Sequence, residues 1–251
     1  MRPFLPILCL LLVALPGLAR AQETPYQEAK PVQADEAAAG EPSPWWFRIA
    51  PYAWLTATSV DATVGGTSVS MDGGFANDVT AMGILEVGCA KWSLSVDGLA
   101  GSFSGDNDWA RLDGDQTVLT AKLNYRSMDS EEFSLLVFLG ARYTDLSLDL
   151  ELDGRSGGSF HAGDSWVDPV VGLRGRSMVN DRCYLGFSGE IGGFGVSSDF
   201  VWQAFVGLGY QLLPGLNAVV GYRGLGGDRG EDGFSCDAFT HGPVLGIEYA
   251  F

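Results

Sequence analysis

The chain has 251 residues, of which 35 are glycine, 12% are aromatic and 18% are charged. Its 15 basic residues are outnumbered by 31 acidic residues, which gives a formal net charge of −16. This balance argues against any function that depends on neutralising nucleic-acid phosphates, and the length suits one large all-β domain.

The first 21 residues have the pattern of a secretory signal peptide. Arg2 precedes an apolar segment over residues 4–18, and a small-x-small sequence follows at 19–21. We therefore predict cleavage before Gln22 and export from the cytoplasm. Since no later apolar run approaches the roughly 18 residues of a membrane helix, a mature protein that spans a membrane would do so with strands.

The mature chain begins with a segment that has little to bury. Residues 22–44 are rich in Pro, Glu and Ala, so we expect a flexible periplasmic leader. No second linker interrupts residues 45–251, which predicts a single domain. The cysteines left after export are odd in number and far apart in sequence, so we expect no disulfide framework. These cysteines are Cys89, Cys183 and Cys236.

From residue 45 onward, segments of about ten residues alternate apolar with polar positions and are bounded by turn residues. The ten predicted strands cover 45–57, 81–90, 92–103, 116–126, 132–148, 165–178, 183–195, 199–212, 217–226 and 238–251. Connectors after the second, fourth, sixth and eighth strands are short, whereas most others are long and rich in Gly and Asp. This layout predicts a closed, antiparallel, up-and-down transmembrane β-barrel of about ten strands, with eight as the alternative.

The two faces of the predicted strands differ as a lipid-facing barrel requires. In the eighth strand Trp202, Val206 and Leu208 alternate with Gln203 and Gly207, and one face carries no charged group. A water-soluble barrel would carry Lys and Glu on its outer face. Aromatic residues lie near both ends of the strands and predict two interfacial girdles. They are Trp45, Trp46, Trp92, Tyr125, Phe133, Tyr210, Tyr249 and Phe251 at the short-turn end, and Tyr143, Trp166, Phe200 and Trp202 at the other.

The last alternating segment, "VLGIEYAF", places Leu245, Ile247, Tyr249 and Phe251 on one face. It resembles the carboxy-terminal signature of Gram-negative outer-membrane proteins, a strand that closes on Tyr-x-Phe. The resemblance implies that these four side chains face lipid, that the strand pairs with the first one, and that the barrel-assembly machinery recognises it.

Several longer motifs carry a second resemblance. They are "WWFRIAPYAW" at 45–54, "GDSWVDPVVGLRGR" at 163–176, "GGFGVSSDFVWQ" at 192–203, "GYR" at 221–223 and "HGPVLG" at 241–246. Together they resemble a poorly characterised family of Gram-negative outer-membrane β-barrel proteins over residues 45–251. The resemblance implies an outer-membrane barrel and carries over no activity.

Ten ionisable residues are predicted to face the lumen. They are Arg48, Glu86, Asp97, Lys122, Arg142, Asp168, Arg174, Glu190, Arg223 and Glu248, five basic and five acidic. One interpretation is a charged pore that selects ions, with inward glycines leaving a thin water path. The other is a set of salt-bridged layers that holds a narrow barrel shut. We favour the second, because a barrel of about ten strands has little lumen to spare.

The excess acid falls in the long connectors. Clustered carboxylates there, among them Asp106, Asp108, Asp113 and Asp115, could hold Ca²⁺ or Mg²⁺. These ions also bridge lipopolysaccharide phosphates. The spacing of a calcium-binding EF-hand loop is absent, so a solvated acidic surface is the favoured interpretation and we predict no cofactor.

Two functions from different classes follow. The favoured one is non-enzymatic: a structural or interaction barrel with acidic extracellular loops, or a narrow pore, in contact with lipid and lipopolysaccharide. The alternative is a lipid-modifying enzyme of the acyltransferase or deacylase type. Its base would be His241, with Asp237 and Ser235 as candidate partners, because a nucleophile, a base and an orienting carboxylate must converge.

Overall fold

The computed structural model describes residues 45–64, 67–73, 79–106, 110–152, 159–231 and 234–251. The predicted signal peptide and leader, residues 1–44, lie outside these ranges. The strands are β1 (Trp45–Leu55), β2 (Ala57–Val64), β3 (Thr67–Gly73), β4 (Val79–Cys89), β5 (Trp92–Asp106), β6 (Ala110–Asp129), β7 (Phe133–Leu152), β8 (Ser159–Met178), β9 (Cys183–Gly193), β10 (Phe200–Leu213), β11 (Leu216–Glu231) and β12 (Phe234–Ala250). Among the described residues, no helix is long and apolar enough to cross a membrane.

Ten of the strands form a closed antiparallel barrel. From β4 to β12 each strand pairs with the next, and β1 pairs with both β4 and β12. At the closing seam Ile49 lies opposite Tyr249, and Phe47 exchanges two backbone hydrogen bonds of 2.9 and 3.0 Å with Phe251. The predicted ten-stranded barrel is therefore confirmed, and closure leaves its strands without a free edge.

The hairpin formed by β2 and β3 was not predicted, since residues 58–80 were expected to be a loop. The strand is interrupted at Thr56. β2 then continues along the outer part of β12, with Ala57 opposite His241 and Val64 opposite Phe234. The hairpin forms because β12 is longer than the part of β1 that pairs with it. Without β2, the outer half of β12 would present unpaired backbone groups along one edge.

The barrel wall separates an apolar outside from a mixed inside. Large apolar side chains are exposed on the outer face of every barrel strand, for example Leu85, Leu94, Leu139, Leu208 and Leu245. Two residues assigned to the aromatic girdles differ from the prediction. Trp46 and Trp166 share their parity along the strand with the inward residues Arg48 and Asp168, so their rings lie on the lumen side.

Inside the barrel, aromatic rings lie flat against glycines on the neighbouring strand. A Cβ atom at each of these glycines would collide with the facing ring, so the glycine is required for space. Flat rings cover the wall and take up little of the lumen. The pairs are Trp46 with Gly88, Tyr52 with Gly246 and Tyr184 with Gly209.

Candidate functional site: a charged lumen between two cavities

All ten ionisable residues that the sequence predicts to face the lumen lie inside the barrel. Seven of them are buried, and Arg48, Lys122 and Arg174 are half-buried. The structure also places Arg229 inside the barrel, buried and over the lumen-side ring of Trp166. It adds Arg176 as well, which shares the inward parity of Arg174 on β8 and could have been identified by that two-residue spacing.

The first group of charges lies near the short turns and is named here the short-turn cluster: Arg48, Arg174, Arg176, Glu86 and Glu248. Arg48 bridges both carboxylates, with Nη2 at 2.6 Å from Glu86 and Nη1 at 2.7 Å from Glu248. Arg174 binds Glu86 at 2.8 Å, and Arg176 binds Glu248. Three guanidinium groups therefore share two carboxylates.

The carboxylates of this cluster lie deeper than two of its guanidiniums. The Glu86 side chain has no exposed surface, whereas 27% of Arg174 and 36% of Arg176 are exposed. Ser93 Oγ also donates to Glu86 at 2.7 Å. Burying a carboxylate is costly unless it is paired and hydrogen-bonded, and this arrangement satisfies both conditions.

The second group, the central cluster, consists of Lys122, Arg142, Arg223, Asp97, Glu190 and Gln203. Lys122 Nζ lies 2.7 Å from Glu190 and 3.7 Å from Asp97, and Arg142 also binds Glu190. Gln203 was not predicted to take part, yet its Oε1 accepts from Arg223 at 2.5 Å and from Arg142 at 3.3 Å. A neutral amide thus joins two guanidiniums that would otherwise repel each other.

Asp168 is held by neutral donors. Its carboxylate is fully buried and accepts from Trp166 Nε1 at 3.0 Å, from Ser198 N at 2.8 Å and from Ser198 Oγ at 2.7 Å. Ser198 belongs to the tight connector between β9 and β10, which turns through left-handed conformations at Gly193 and Phe194. The two hydrogen bonds from Ser198 hold this connector against the inside of the barrel at Asp168.

Beside the central cluster lies an apolar group that the sequence analysis did not identify. We name it the septum: Trp54, Met82, Leu99, Val118, Leu225 and Val244. Tyr52 and Phe205 pack against it, and Trp54 Nε1 donates to the Gly242 carbonyl at 3.1 Å. The Arg223 guanidinium lies over the Trp54 ring, 5.3 Å from its centroid, so the septum and the central cluster are in contact.

The septum separates two cavities. The short-turn cavity has a volume of about 520 Å³ and is lined by residues such as Tyr52, Arg174 and Arg176. The long-loop cavity has a volume of about 460 Å³ and is lined by residues such as Trp166 and Arg229. Met82 and Val244 line the first cavity, whereas Val118 and Leu225 line the second. The septum therefore lies at the boundary between them, next to the central cluster, of which Arg223 lines the first cavity and Arg142 the second.

No protein-family model and no curated protein sequence matches the chain. The outer membrane protease OmpT from Escherichia coli is similar in structure, with a TM-score of 0.57 and 12% identity over 86% of this chain and 99% of that chain. The fold is that of an outer-membrane β-barrel. The attachment invasion locus protein Ail of Yersinia pestis has a TM-score of 0.36 and 12% identity over 82% of this chain and 99% of that chain. At 12% identity, the likeness to OmpT supports the fold and nothing further.

His241, the candidate catalytic base, faces away from the lumen. Its Nδ1 lies 2.6 Å from the Tyr222 hydroxyl, and its ring stacks on Phe239 at a centroid distance of 4.8 Å. Asp237 lies on the same outer face, four positions along β12, and the side chain of Ser235 lies outside the described part. The described side chains of this set therefore do not converge as a nucleophile, a base and an orienting group.

Asp237 instead belongs to a row of carboxylates on three neighbouring strands, opposite Asp228 on one side and Asp61 on the other. Partial burial and the two like charges raise the pKa of Asp237 above its ordinary value. A raised carboxyl pKa means that the folded state holds this proton more tightly than the unfolded chain. The free energy of unfolding therefore falls as the pH rises from the ordinary pKa of an aspartate through the raised pKa of Asp237.

The acidic residues considered as metal ligands are only partly described. Asp113 pairs with Arg111 at 2.9 Å, and Asp115 accepts from Ser102 Oγ at 2.7 Å. Asp108 and the side chain of Asp106 lie outside the described residues. Within the described part, no group of three His, Cys, Asp or Glu residues is arranged to hold a metal ion. Cys89 and Cys183 are free thiols, and the side chain of Cys236 is not described.

Proposed function

We propose that the protein is a non-enzymatic barrel of the bacterial outer membrane whose lumen is closed in its resting form. The observation that supports this function best is the septum, which lies between two separate cavities and contacts the ion-paired central cluster. A conducting barrel requires a continuous polar path. Here six apolar side chains and a shared amide occupy the middle of the lumen.

The outer surface and the predicted export signal support the proposed location. Exposed Leu, Val, Ile and aromatic side chains cover the outer faces of the barrel strands, which suits contact with lipid. Barrels of this type place short turns in the periplasm and long connections outside the cell. In that orientation the acidic row Asp61, Asp228 and Asp237 faces the extracellular side, where it suits a role in interaction with cations or basic partners.

Recognition by the barrel-assembly machinery and contact with lipopolysaccharide are part of the same proposal. The segment that resembles the assembly signature lies at the closing seam, with Leu245 and Ile247 exposed on the outer face. Strand closure and recognition would then involve the same alternating residues.

Conductance of the purified barrel in planar bilayers tests the proposed function. We expect no unitary current steps from protein that is folded, as judged by different migration of boiled and unboiled samples on detergent gels. The septum is the physical reason, because it leaves no wide polar path. Regular steps from the folded wild-type protein would contradict a closed resting lumen.

The alternative, a lipid-modifying enzyme that uses His241, predicts a different result. We propose a structural role for His241 among the outer aromatic residues, so His241→Ala should leave the acylation pattern of lipid A unchanged. Mass spectrometry of lipid A from cells with the wild-type protein, the variant or no protein measures this. A pattern that depends on the protein and is lost in the variant would favour the enzyme.

A further inference from the structure

The part of the short-turn cavity that the short-turn cluster lines carries a local excess of positive charge, which the closed-barrel function does not require. Its cluster has three guanidiniums and two carboxylates, so one positive charge remains uncompensated within it. This excess occurs in a chain whose formal net charge is −16. We propose that the short-turn cavity binds a small organic anion through Arg174 and Arg176.

The two guanidiniums retain donors for a ligand. Arg174 uses Nη2 for both oxygens of Glu86, and Arg176 uses Nη2 for Glu248. Within the described part of the chain, the remaining Nε and Nη1 atoms of these two residues make no hydrogen bond. Arginine presents its donors in a planar fork that matches a carboxylate or phosphate group, and both side chains are partly exposed to the cavity.

Arg176 is held in position by an aromatic ring. Its guanidinium lies 3.9 Å from the centroid of the Tyr184 ring, and that ring is backed by Gly209 on the next strand. The cation over the ring face is an attractive arrangement. A guanidinium that is already oriented loses little freedom when it binds an anion.

The wall next to Arg176 leaves room for a ligand. Arg176 lies opposite Gly186, which lies opposite Gly207. A Cβ atom at Gly186 would meet its nearest neighbour, the Tyr184 ring, only at 3.6 Å. The apolar side of the cavity is formed by residues that include Tyr52 and Phe205. A few polar groups on a mostly apolar wall are typical of small-molecule sites.

The rim of the cavity carries the opposite charge. Asp129, the last residue of β6, lies there with Glu131 and Glu132 of the turn between β6 and β7, and Arg126 pairs with Asp129 at 3.0 Å. The two glutamates are exposed, so salt screens their repulsion at physiological ionic strength. Salt screens the attraction of the deeper guanidiniums of Arg174 and Arg176 for an anion less, so these two residues select the ligand.

Isothermal titration of the mature, folded barrel in detergent with citrate tests the site. We expect the wild-type protein to bind citrate and Arg176→Gln to bind it at least about tenfold more weakly, because a charge-assisted hydrogen bond is lost. Arg182→Gln is the matched control, since Arg182 lies exposed in the turn between β8 and β9 at the same end of the barrel. It should bind like the wild type.

Folding of Arg176→Gln is expected to survive, because Glu248 keeps Arg48 at 2.7 Å and Asn217 at 3.4 Å. Gly186→Val provides a second variant, which fills the space beside Arg176 without changing any charge and should also weaken citrate binding. Absence of heat on titrating the folded wild type, or equal weakening by Arg182→Gln, would overturn the site. Regular current steps from the wild-type barrel would overturn the proposed function. They would not decide the anion site, which the citrate titration tests separately.

Discussion

Trp54→Ala is expected to give the barrel a conductance that the wild type lacks. Trp54 is the largest side chain of the septum and is 1% exposed. Alanine there removes the indole ring and its hydrogen bond to Gly242, so the two cavities would come into contact. Loss of a buried tryptophan also costs about 3–5 kcal/mol, and we expect a lower unfolding temperature together with current steps in planar bilayers.

The matched control is Trp92→Ala. Trp92 has the same ring but is 53% exposed on the outer face, so its loss should leave the bilayer recordings silent. Folding of each variant is checked by the migration of boiled and unboiled samples. Folded Trp54→Ala protein that stays as silent as the wild type would mean that the charged clusters alone close the lumen.

Glu86→Gln is expected to give the largest loss of stability among the lumen charges. The Glu86 side chain has no exposed surface and pairs with both Arg48 and Arg174. A glutamine removes the negative charge that Arg48 and Arg174 share, while Arg48 keeps its pair with Glu248. Removing one partner of a buried ion pair costs about 3–5 kcal/mol, which urea unfolding of the barrel in detergent would measure.

Asp129→Asn is the control for this prediction, since Asp129 pairs with Arg126 at the same end of the barrel but its side chain is 45% exposed. Surface ion pairs contribute about 0–1 kcal/mol, so the control should be nearly neutral. A second comparison uses the double variant Glu86→Gln with Arg174→Gln. It should be more stable than Glu86→Gln alone, because both partners of the ion pair are then neutral. Equal effects of Glu86→Gln and Asp129→Asn would refute the role of the short-turn cluster.

The fold was predictable because one physical constraint acts on every strand. Lipid excludes charge from the outer face, and side chains alternate with a period of two. The parity of a single charged residue, such as Asp97 or Glu190, therefore assigns the whole strand to its inner and outer faces. The same reasoning would have added Arg176, and it would have turned Trp166 inward, since Trp166 has the parity of Asp168.

The hairpin of β2 and β3 shows where local pattern reading was wrong. Its first strand alternates over 57–64, but the segment lies in a long connector rich in Gly and Asp, which favoured a loop. What makes it a strand is the unpaired outer half of β12, with Phe239 opposite Ser59. A partner more than 170 positions away cannot be recognised from the composition of the connector.

The amino-acid sequence by itself determined an antiparallel barrel of about ten strands and the inward side of the ten predicted charged residues, because both follow from local alternation and turn chemistry. The tertiary structure decided which charges meet and which apolar side chains come together in the septum. Arg48 and Glu248, 200 positions apart, become partners only when β1 and β12 pair. Likewise the septum draws Trp54, Leu99 and Leu225 from separate strands. Distances across the lumen depend on how the barrel closes and on the stagger of its strands. The alternation of side chains along one strand gives no information on either.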